Sequence, residues 1–346
     1  MSYKIKHIAV IRLSAMGDVA MAAPILRAFT KQYPDVHVTM VSKPFFEPFF
    51  EGIPNVDFFA VDVAGKHKGF PGLLQLFSDL KKSGIDAVAD LHNVLRSKII
   101  RRIFAMNGKK TAHTDKARGE KKALTRETNK VFKPLKSVFE RHAEVFEILG
   151  FPIDLTHPEF PEKQKLDEAV GHLAGEKTQK WIGIAPFAQH QGKVYPKDLM
   201  QTVIDQLAAI SDYKIFLFGG GASETEILNE FAGHHKNVIV AAGKLDFNQE
   251  LQLISNLDLM LSMDSGNSHI AAMYGIPVVT LWGATHPYTG FSPFNQPFEN
   301  ALVSDREQYP KLPTSVYGNI KIEGYDDAMR TILPETVMAK VKSVLK

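Results

Sequence analysis

Asp18 is the first residue whose position in the sequence suggests chemistry. It ends the segment Ser14–Asp18, which follows the apolar run His7–Leu13 and leads into a helical pattern. Considered alone, Asp18 is a first-turn carboxylate that stabilises a helix dipole by about 0.3–1 kcal/mol. The alternative is a general base on the floor of a cleft, kept ionised by backbone N–H groups, that removes a proton from a bound hydroxyl.

The segment Asp264–His269 also lies between a strand-like run and a helical one. Asp264 or Ser265 could serve only as a helix N-cap, worth about 1 kcal/mol. Small residues with free N–H groups at a helix N-terminus also form an anion site, and Gly266 lets a phosphate come close. His269 would project toward the same place, although a single histidine on a helix is more often structural.

Lys193 and the glycine turn Gly219–Gly221 complete the candidate set. An isolated Lys193 is a solvated surface residue, but beside an anion site it supplies the positive charge that a pyrophosphate leaving group needs. Glu224 and Glu226 follow the glycine turn and could accept hydrogen bonds from ribose hydroxyls, or simply begin a helix. The chain has no Asp-x-Asp and no histidine pair with metal-binding spacing, so we expect no metal.

The elements that must position these residues follow an α/β order. Short β-branched runs, such as Val36–Val41 and Val56–Val61, predict buried parallel strands separated by helical segments. After the proline-rich stretch Pro152–Pro161, a second series begins with the strand Trp181–Ala185. This alternation predicts doubly wound parallel sheets, and ligands of such sheets bind at the carboxyl ends of the strands.

The length and composition set the domain organisation. With 346 residues, 45% hydrophobic and 23% charged, the chain is too long for one compact core. We expect domains at 1–165 and 166–325, and a helix at 326–346 that packs back at the domain junction. The absence of cysteine excludes disulfides and thiolate chemistry. Neither a G-x-G-x-x-G nor a P-loop motif occurs, which disfavours NAD enzymes and P-loop ATPases. No apolar run suits a membrane span or a signal peptide, so we expect a cytoplasmic protein.

One segment, residues 109–141, departs from the near-neutral charge of the whole chain, which is +3. It carries eleven basic and four acidic residues, a local net charge of +7. Such a run is either a solvated, partly disordered loop or a mobile basic loop for an anionic partner, such as a phosphorylated glycolipid or a membrane surface. Phe132 and Phe139 are too few aromatic residues for base stacking, so nucleic acid is not the expected partner.

Two segments carry a resemblance to a known family. They are Ile8–Val19, with the helix through Pro24–Leu26, and the long, specific stretch Met263–Pro287. The sequence resembles the ADP-heptose:lipopolysaccharide heptosyltransferases of glycosyltransferase family 9, and the order of elements extends the likeness over nearly the whole chain. The resemblance implies an α/β fold of GT-B architecture: two Rossmann-like, doubly wound parallel-sheet domains that face a central cleft. The acceptor would bind mainly to the N-terminal domain and the sugar nucleotide to the C-terminal one.

The resemblance also implies roles for the candidate residues. Asp18 matches the family's catalytic carboxylate, and Lys193 matches its phosphate-contacting lysine. The expected acceptor contacts lie beside Asp18 and are Ser14, Met16 and Gly17. The expected donor contacts are Asp264, Ser265, Gly266, His269 and one ribose-binding acid, Glu224 or Glu226, of which Glu226 is preferred.

The function implied is inverting, metal-independent transfer of a sugar, heptose from ADP-heptose, onto a lipopolysaccharide core or a related surface glycan. No cofactor is expected besides the donor substrate. Because the acceptor is a glycolipid, we expect peripheral contact with the cytoplasmic face of the inner membrane. Two alternatives remain: a non-catalytic protein of the same fold that binds a sugar nucleotide or glycolipid, and a sugar-nucleotide epimerase, which would release sugar without an acceptor.

Overall fold

The structure, a computed structural model, describes residues 5–346, which form two compact units. The first unit comprises the chain up to Ala117 together with Lys136–Phe160, and the second comprises Arg118–Leu135 and Pro161–Lys346. The boundary after Phe160 lies close to the expected one at residue 165. The transfer of residues 118–135 to the second unit was not expected.

The first unit is built on a five-stranded parallel sheet. Its strands are β1 (His7–Ile11), β2 (His37–Ser42), β3 (Val56–Ala60), β4 (Ala87–Asp90) and β5 (Lys110–His113). They lie in the order β3-β2-β1-β4-β5. Ile11, the last residue of β1, is opposite Val41 on one side and Asp90 on the other. Because the strands run parallel, their carboxyl ends lie at the same edge of the sheet. Polar residues that follow the buried central strands can be held at this edge.

The second unit is built on a six-stranded parallel sheet. Its strands are β6 (Lys180–Ala185), β7 (Tyr213–Leu217), β8 (Val238–Val240), β9 (Leu259–Met263), β10 (Val278–Trp282) and β11 (Ala301–Val303). They lie in the order β11-β10-β9-β6-β7-β8. The neighbouring strands β6 and β9, both buried, therefore end beside each other at the centre of the sheet, as the doubly wound pattern predicts.

Twelve α-helices connect and cover the strands of the described chain. They are α1 (Met16–Ala20), α2 (Ala22–Gln32), α3 (Gly69–Lys82), α4 (Leu95–Met106), α5 (Arg118–Thr125), α6 (Val138–Leu149), α7 (Glu168–Ala174), α8 (Lys197–Ala208), α9 (Gly221–Ala232), α10 (Phe247–Ser255), α11 (Gly266–Met273) and α12 (Pro334–Leu345). A single helix was expected from Val19 to Phe29, but the chain is interrupted at Met21. Pro24 lacks the N–H that a continuous helix would donate to Ala20. Among residues 5–346, no helix combines the length and apolarity needed to cross a membrane.

The last helix, α12, lies in the core of the second unit. Its buried residues Val337 and Val341 belong to the same apolar cluster as Met200 and Val203 of α8. We expected α12 at the domain junction. Its apolar stripe covers one face of the second sheet beside α8, and its place relative to the domain junction stays a prediction.

The basic segment 109–141 is divided between the two units. Its central part contains α5 and is fixed to the second unit by Lys130, whose Nζ donates to the carbonyl oxygens of Leu124, Lys311 and Pro313 at 3.2, 2.8 and 2.8 Å. Burial, followed by the nearby Arg306, lowers the pKa of Lys130 to about 8. The half-buried ammonium of Lys130, with three carbonyl partners, therefore anchors this part to the second unit, while Arg118, Lys122 and Lys133 are exposed. Its contact with an anionic partner stays a prediction.

Aromatic contacts hold the same stretch in place. The guanidinium carbon of Arg306 lies 3.3 Å from the centroid of the Phe132 ring. That ring also packs against His286 and Tyr288, with centroids 5.0 and 4.8 Å apart. The backbone N–H of Leu135 donates to Tyr288 at 3.0 Å. Residues 118–135 are thus an integral part of the second unit, although unit-one sequence flanks them on both sides.

Candidate functional site

In the first unit, Asp18 lies in the short helix α1, which follows the carboxyl end of β1. Its Oδ2 atom is 2.5 Å from Nη2 of Arg12 and accepts a hydrogen bond from the backbone N–H of Ala15 at 3.3 Å. The side chain keeps 28% of its surface exposed, so a substrate can reach it. An adjacent guanidinium favours the ionised form of a carboxylate. Asp18 is therefore held as an accessible anion, the state that a general base requires.

Arg12 is fixed on both sides of the central strand. Its Nη1 donates to the carbonyl oxygen of Leu91 at 2.6 Å, and its own carbonyl accepts from Oγ of Ser42 at 2.6 Å. These contacts join the ends of β1, β2 and β4. Because the Arg12 side chain is only 12% exposed and fixed at Nη1, it holds the orientation of Asp18.

Two histidines lie near Arg12 and Asp18. His92 accepts the backbone N–H of Leu13 through Nδ1 at 3.4 Å, and burial, followed by Arg12, lowers its pKa to about 4. His142 on α6 is fully buried, and the same causes lower its pKa to about 3. Within residues 5–346 the Nδ1 atom of His142 has no hydrogen-bond partner. Both rings are therefore neutral at pH 7 and add no positive charge beside Asp18 and Arg12.

The turn that carries His92 is shaped by a buried carboxylate. Asp90 ends β4 with its side chain inaccessible to solvent, and its Oδ1 accepts the backbone N–H groups of His92 and Asn93 at 3.0 and 2.7 Å. The Nε of Arg101 lies 3.8 Å from the other oxygen. The two hydrogen bonds to Oδ1 fix the loop after β4 and thereby the ring of His92, whereas Oδ2 has no hydrogen-bond partner among the described residues.

In the second unit, Lys193 and Asp264 meet at the ends of β6 and β9. The Nζ of Lys193 lies 2.9 Å from Oδ2 of Asp264, and the two side chains are only 14% and 7% exposed. The Oγ1 of Thr285, which follows β10, donates to the same oxygen at 2.8 Å. An ammonium has three donors, so Lys193 can keep Asp264 and still donate to a phosphate.

The helix α11 begins beside this pair. Ser265 is its N-cap residue, and the Oγ of Ser265 is 3.1 Å from that of Ser262, while the Oγ of Ser268 donates to the carbonyl of Ser265 at 2.7 Å. Gly266 is the first helical residue, and His269 lies one turn later with a buried side chain. The serine hydroxyls hold the loop in place, and the first N–H groups of the helix are available to an anion.

The backbone around Lys193 is packed without space for further side-chain atoms. Ala284 donates its N–H to the carbonyl of Gly192 at 2.7 Å, and a Cβ on Gly283 would overlap that carbonyl oxygen. A Cβ on Gly318 would lie 2.5 Å from both Cγ and Cδ of Lys193. Gly318 therefore lies directly on the aliphatic part of Lys193, which directs the ammonium toward Asp264.

The two candidate ribose-binding acids differ in their contacts. Glu224 accepts the backbone N–H of Gly220 through Oε2 at 2.8 Å and is half-buried, so it holds the glycine turn after β7. Glu226 is exposed on α9. The turn after β7 adjoins the end of β6, because β6 and β7 are neighbours in the sheet. Both acids thus follow a strand on the opposite side of the Lys193–Asp264 pair from Thr285.

The structure brings together several of the residues that the sequence singled out. Ser14, Met16 and Gly17 are half-buried and lie in the turn that carries Asp18. Reasoning from the sequence missed further residues at the two strand edges, namely Arg12, His92, His142, Thr285 and Gly318. Arg12 had a detectable signal, since a charged residue ends a buried strand. The others depend on partners that are distant in sequence. Among the described residues, no group of three His, Asp or Glu side chains could hold a metal ion.

Comparison with known proteins places these features in a family. A family model described as glycosyltransferase family 9 (heptosyltransferase) matches residues 73–320. Lipopolysaccharide heptosyltransferase 1 of Campylobacter coli is 27% identical over 97% of this chain and 98% of that protein. The crystal structure of a family 9 glycosyl transferase from Veillonella parvula has a TM-score of 0.76 at 22% identity and covers 100% of this chain and 98% of that one.

A further solved structure, E. coli ADP-heptose lps heptosyltransferase II, has a TM-score of 0.68 at 19% identity and covers 98% of both chains. At these identities the two solved structures establish the fold alone, which is the expected GT-B architecture of two Rossmann-like units. The family model spans more than half of the chain. The chain therefore belongs to glycosyltransferase family 9, the heptosyltransferases, and the expectation of a glycosyltransferase is confirmed.

Proposed function

We propose that the protein transfers heptose from ADP-heptose to the core of a lipopolysaccharide, with inversion at the anomeric carbon and without a metal ion. One observation carries the proposal: in a family 9 chain, an accessible carboxylate, Asp18, and a buried ammonium, Lys193, each lie at the carboxyl edge of a parallel sheet. The names of the similar proteins, a lipopolysaccharide heptosyltransferase and an ADP-heptose heptosyltransferase, support this donor and acceptor.

The donor half of the proposal rests on the second unit. The diphosphate binds between Lys193 and the first N–H groups of α11, at Ser265 and Gly266, where a helix N-terminus and an ammonium both attract anions. As the bond between the anomeric carbon and the phosphate oxygen breaks, negative charge grows on the departing ADP. These donors stabilise that charge, each typically by about 2.7–4 kcal/mol. Since they supply the positive charge, we propose that no metal is needed.

The acceptor half rests on the first unit. Asp18 takes the proton of an acceptor hydroxyl while the oxygen attacks the anomeric carbon from the face opposite the nucleotide. Attack from this face inverts the configuration. Arg12 keeps the carboxylate ionised and oriented before the reaction, and the neutral rings of His92 and His142 add no competing positive charge.

We further propose that the protein works at the cytoplasmic face of the inner membrane, where it contacts anionic headgroups. The exposed cations Arg118, Lys122 and Lys133 of the segment fixed to the second unit support this. The protein should sediment with anionic vesicles at low salt and stay in the supernatant at high salt. Failure to bind at low salt would contradict the membrane contact but not the transferase activity.

The transferase proposal is tested with purified protein, a panel of sugar nucleotides and a heptose-deficient core lipid as acceptor, in the presence of EDTA. We expect transfer from ADP-heptose, and NMR of the product should show the anomeric configuration opposite to that of the donor. Retained configuration would contradict the single displacement, and loss of activity in EDTA would contradict metal independence. Release of free sugar from the donor without any acceptor would favour an epimerase-type reaction.

A further inference from the structure

An exposed aromatic ring lies one residue from the contact between Gly318 and Lys193. Tyr317 is 60% exposed, although Thr314 and Ser315 in the same loop are buried. Its ring is paired with that of half-buried Phe291, with centroids 6.5 Å apart. Exposed aromatic residues need no explanation when they occur singly on a surface. This one is held beside the cation to which we assign the diphosphate.

The loop that presents Tyr317 is fixed before any ligand binds. The backbone N–H of Thr314 donates to the carbonyl of Ala284 at 2.9 Å, and the Oγ1 of Thr314 donates to the carbonyl of Ile320 at 2.9 Å. The N–H of Gly318 donates to Oγ of Ser315 at 2.8 Å. A ring held on such a loop loses little conformational freedom when it packs against a ligand.

The strand order indicates which part of a bound sugar nucleotide would contact the Tyr317 ring. Along the carboxyl edge of the sheet, β7 precedes β6, β9 and β10. The candidate ribose acids follow β7, the pair Lys193 and Asp264 follows β6 and β9, and the loop of Tyr317 is bound to Ala284, which follows β10. Three strand spacings of about 4.8 Å separate the two ends. With the nucleoside at β7 and the diphosphate in the middle, the sugar reaches β10.

We infer that Tyr317, with Phe291 behind it, forms the surface on which the sugar ring of the donor packs, and that it helps to select the sugar. This inference rests on the proposed function. An aromatic face covers the apolar C–H face of a pyranose, while the sugar hydroxyls stay free for polar contacts. The ring therefore contributes to binding of the sugar and not to binding of the nucleoside diphosphate alone.

The test compares the affinities of ADP and ADP-heptose by calorimetry, without acceptor, for wild type, Tyr317→Ala and Tyr317→Phe. We expect Tyr317→Ala to weaken ADP-heptose by about tenfold and to leave ADP within about twofold. Tyr317→Phe keeps the ring and should bind like wild type. The matched control is Phe298→Ala. Phe298 is 52% exposed, and its ring packs against that of Tyr288, whereas the Tyr317 ring is paired with Phe291.

The possible results distinguish failure of the role inferred for Tyr317 from failure of the proposed donor. Equal weakening of ADP and ADP-heptose in Tyr317→Ala would assign the ring to the nucleoside and overturn the inference. Unchanged binding of both ligands, or the same loss in Phe298→Ala, would also overturn it. Failure of the wild-type protein to bind ADP-heptose would instead refute the proposed donor itself, and that result does not depend on any variant.

Discussion

Replacement of Gly318 by alanine should displace the ammonium of Lys193 without changing the lysine itself. The added Cβ would lie 2.5 Å from Cγ and Cδ of Lys193, whereas carbon atoms pack at about 3.5–4.0 Å. The lysine stem must therefore move by about 1 Å. That shift would carry Nζ away from its place 2.9 Å from Asp264. A displacement of about 1 Å at a reacting site can cost on the order of a hundredfold in rate, or about 2.7 kcal/mol.

The same substitution also strains the backbone, and a second glycine measures that effect separately. Gly318 and Gly324 have φ values of +77° and +78°, and only Gly324 has nothing within 4 Å of an added Cβ. Both alanine variants should lose roughly 1–2 kcal/mol of unfolding free energy in urea, because alanine is disfavoured in the left-handed region. Turnover at saturating donor and acceptor should fall about a hundredfold in Gly318→Ala and stay near wild type in Gly324→Ala. Equal turnover in the two variants would refute the role assigned to Lys193.

Three further variants test other parts of the structure. Lys130→Met leaves three carbonyl acceptors without their ammonium donor, so the free energy of unfolding should fall by about 1–3 kcal/mol. Trypsin should also cut residues 118–135 faster in this variant. Lys133→Met, at an exposed position, should change neither the stability nor the rate of cleavage. His142 has a folded pKa below its unfolded value, so its contribution to stability is lost as pH falls from about 6.5 toward 3. His142→Gln should therefore flatten the acid limb of the unfolding free energy by up to about 1.4 kcal/mol per pH unit, and an unchanged slope would refute the assignment. Arg12→Met should raise the pH at which kcat/KM reaches its plateau, because Asp18 loses the adjacent cation; an unshifted profile would count against that pairing.

The strands and their edges could be predicted from the sequence because their signals are local. Runs such as Val36–Val41 are short and β-branched, and they form buried strands in the structure. Asp18, Lys193 and Asp264 were found because each follows such a run. In a parallel sheet, a polar residue after a buried strand lies at the edge where ligands bind.

The remaining features depend on contacts between distant parts of the chain. In the sequence, Lys130 is one more residue of a basic run, and only its hydrogen bonds to Lys311 and Pro313 show that it is half-buried and anchored to the second unit. His142 reads as one polar residue among apolar ones on a helix. Its proximity to Arg12 and Asp18 comes from packing of α6, over more than a hundred residues of sequence.

The pairing of Lys193 with Asp264 shows the same limit. Both residues were selected from the sequence, one for its charge and the other for its place before a helix. Nothing in their spacing of about seventy residues predicts that their side chains meet at 2.9 Å. That pairing follows from the strand order, which places β6 beside β9.

The central claim, that Asp18 is the base for the acceptor hydroxyl, is tested most directly by Asp18→Asn. Transfer to the core lipid and calorimetric binding of the donor should be measured for wild type, Asp18→Asn and Asp35→Asn. Asp35 is an exposed residue in the turn before β2, at the other edge of the same sheet. We expect Asp18→Asn to bind the donor normally and to lose at least about a hundredfold in turnover, while Asp35→Asn behaves like wild type. Full turnover in Asp18→Asn would contradict the mechanism.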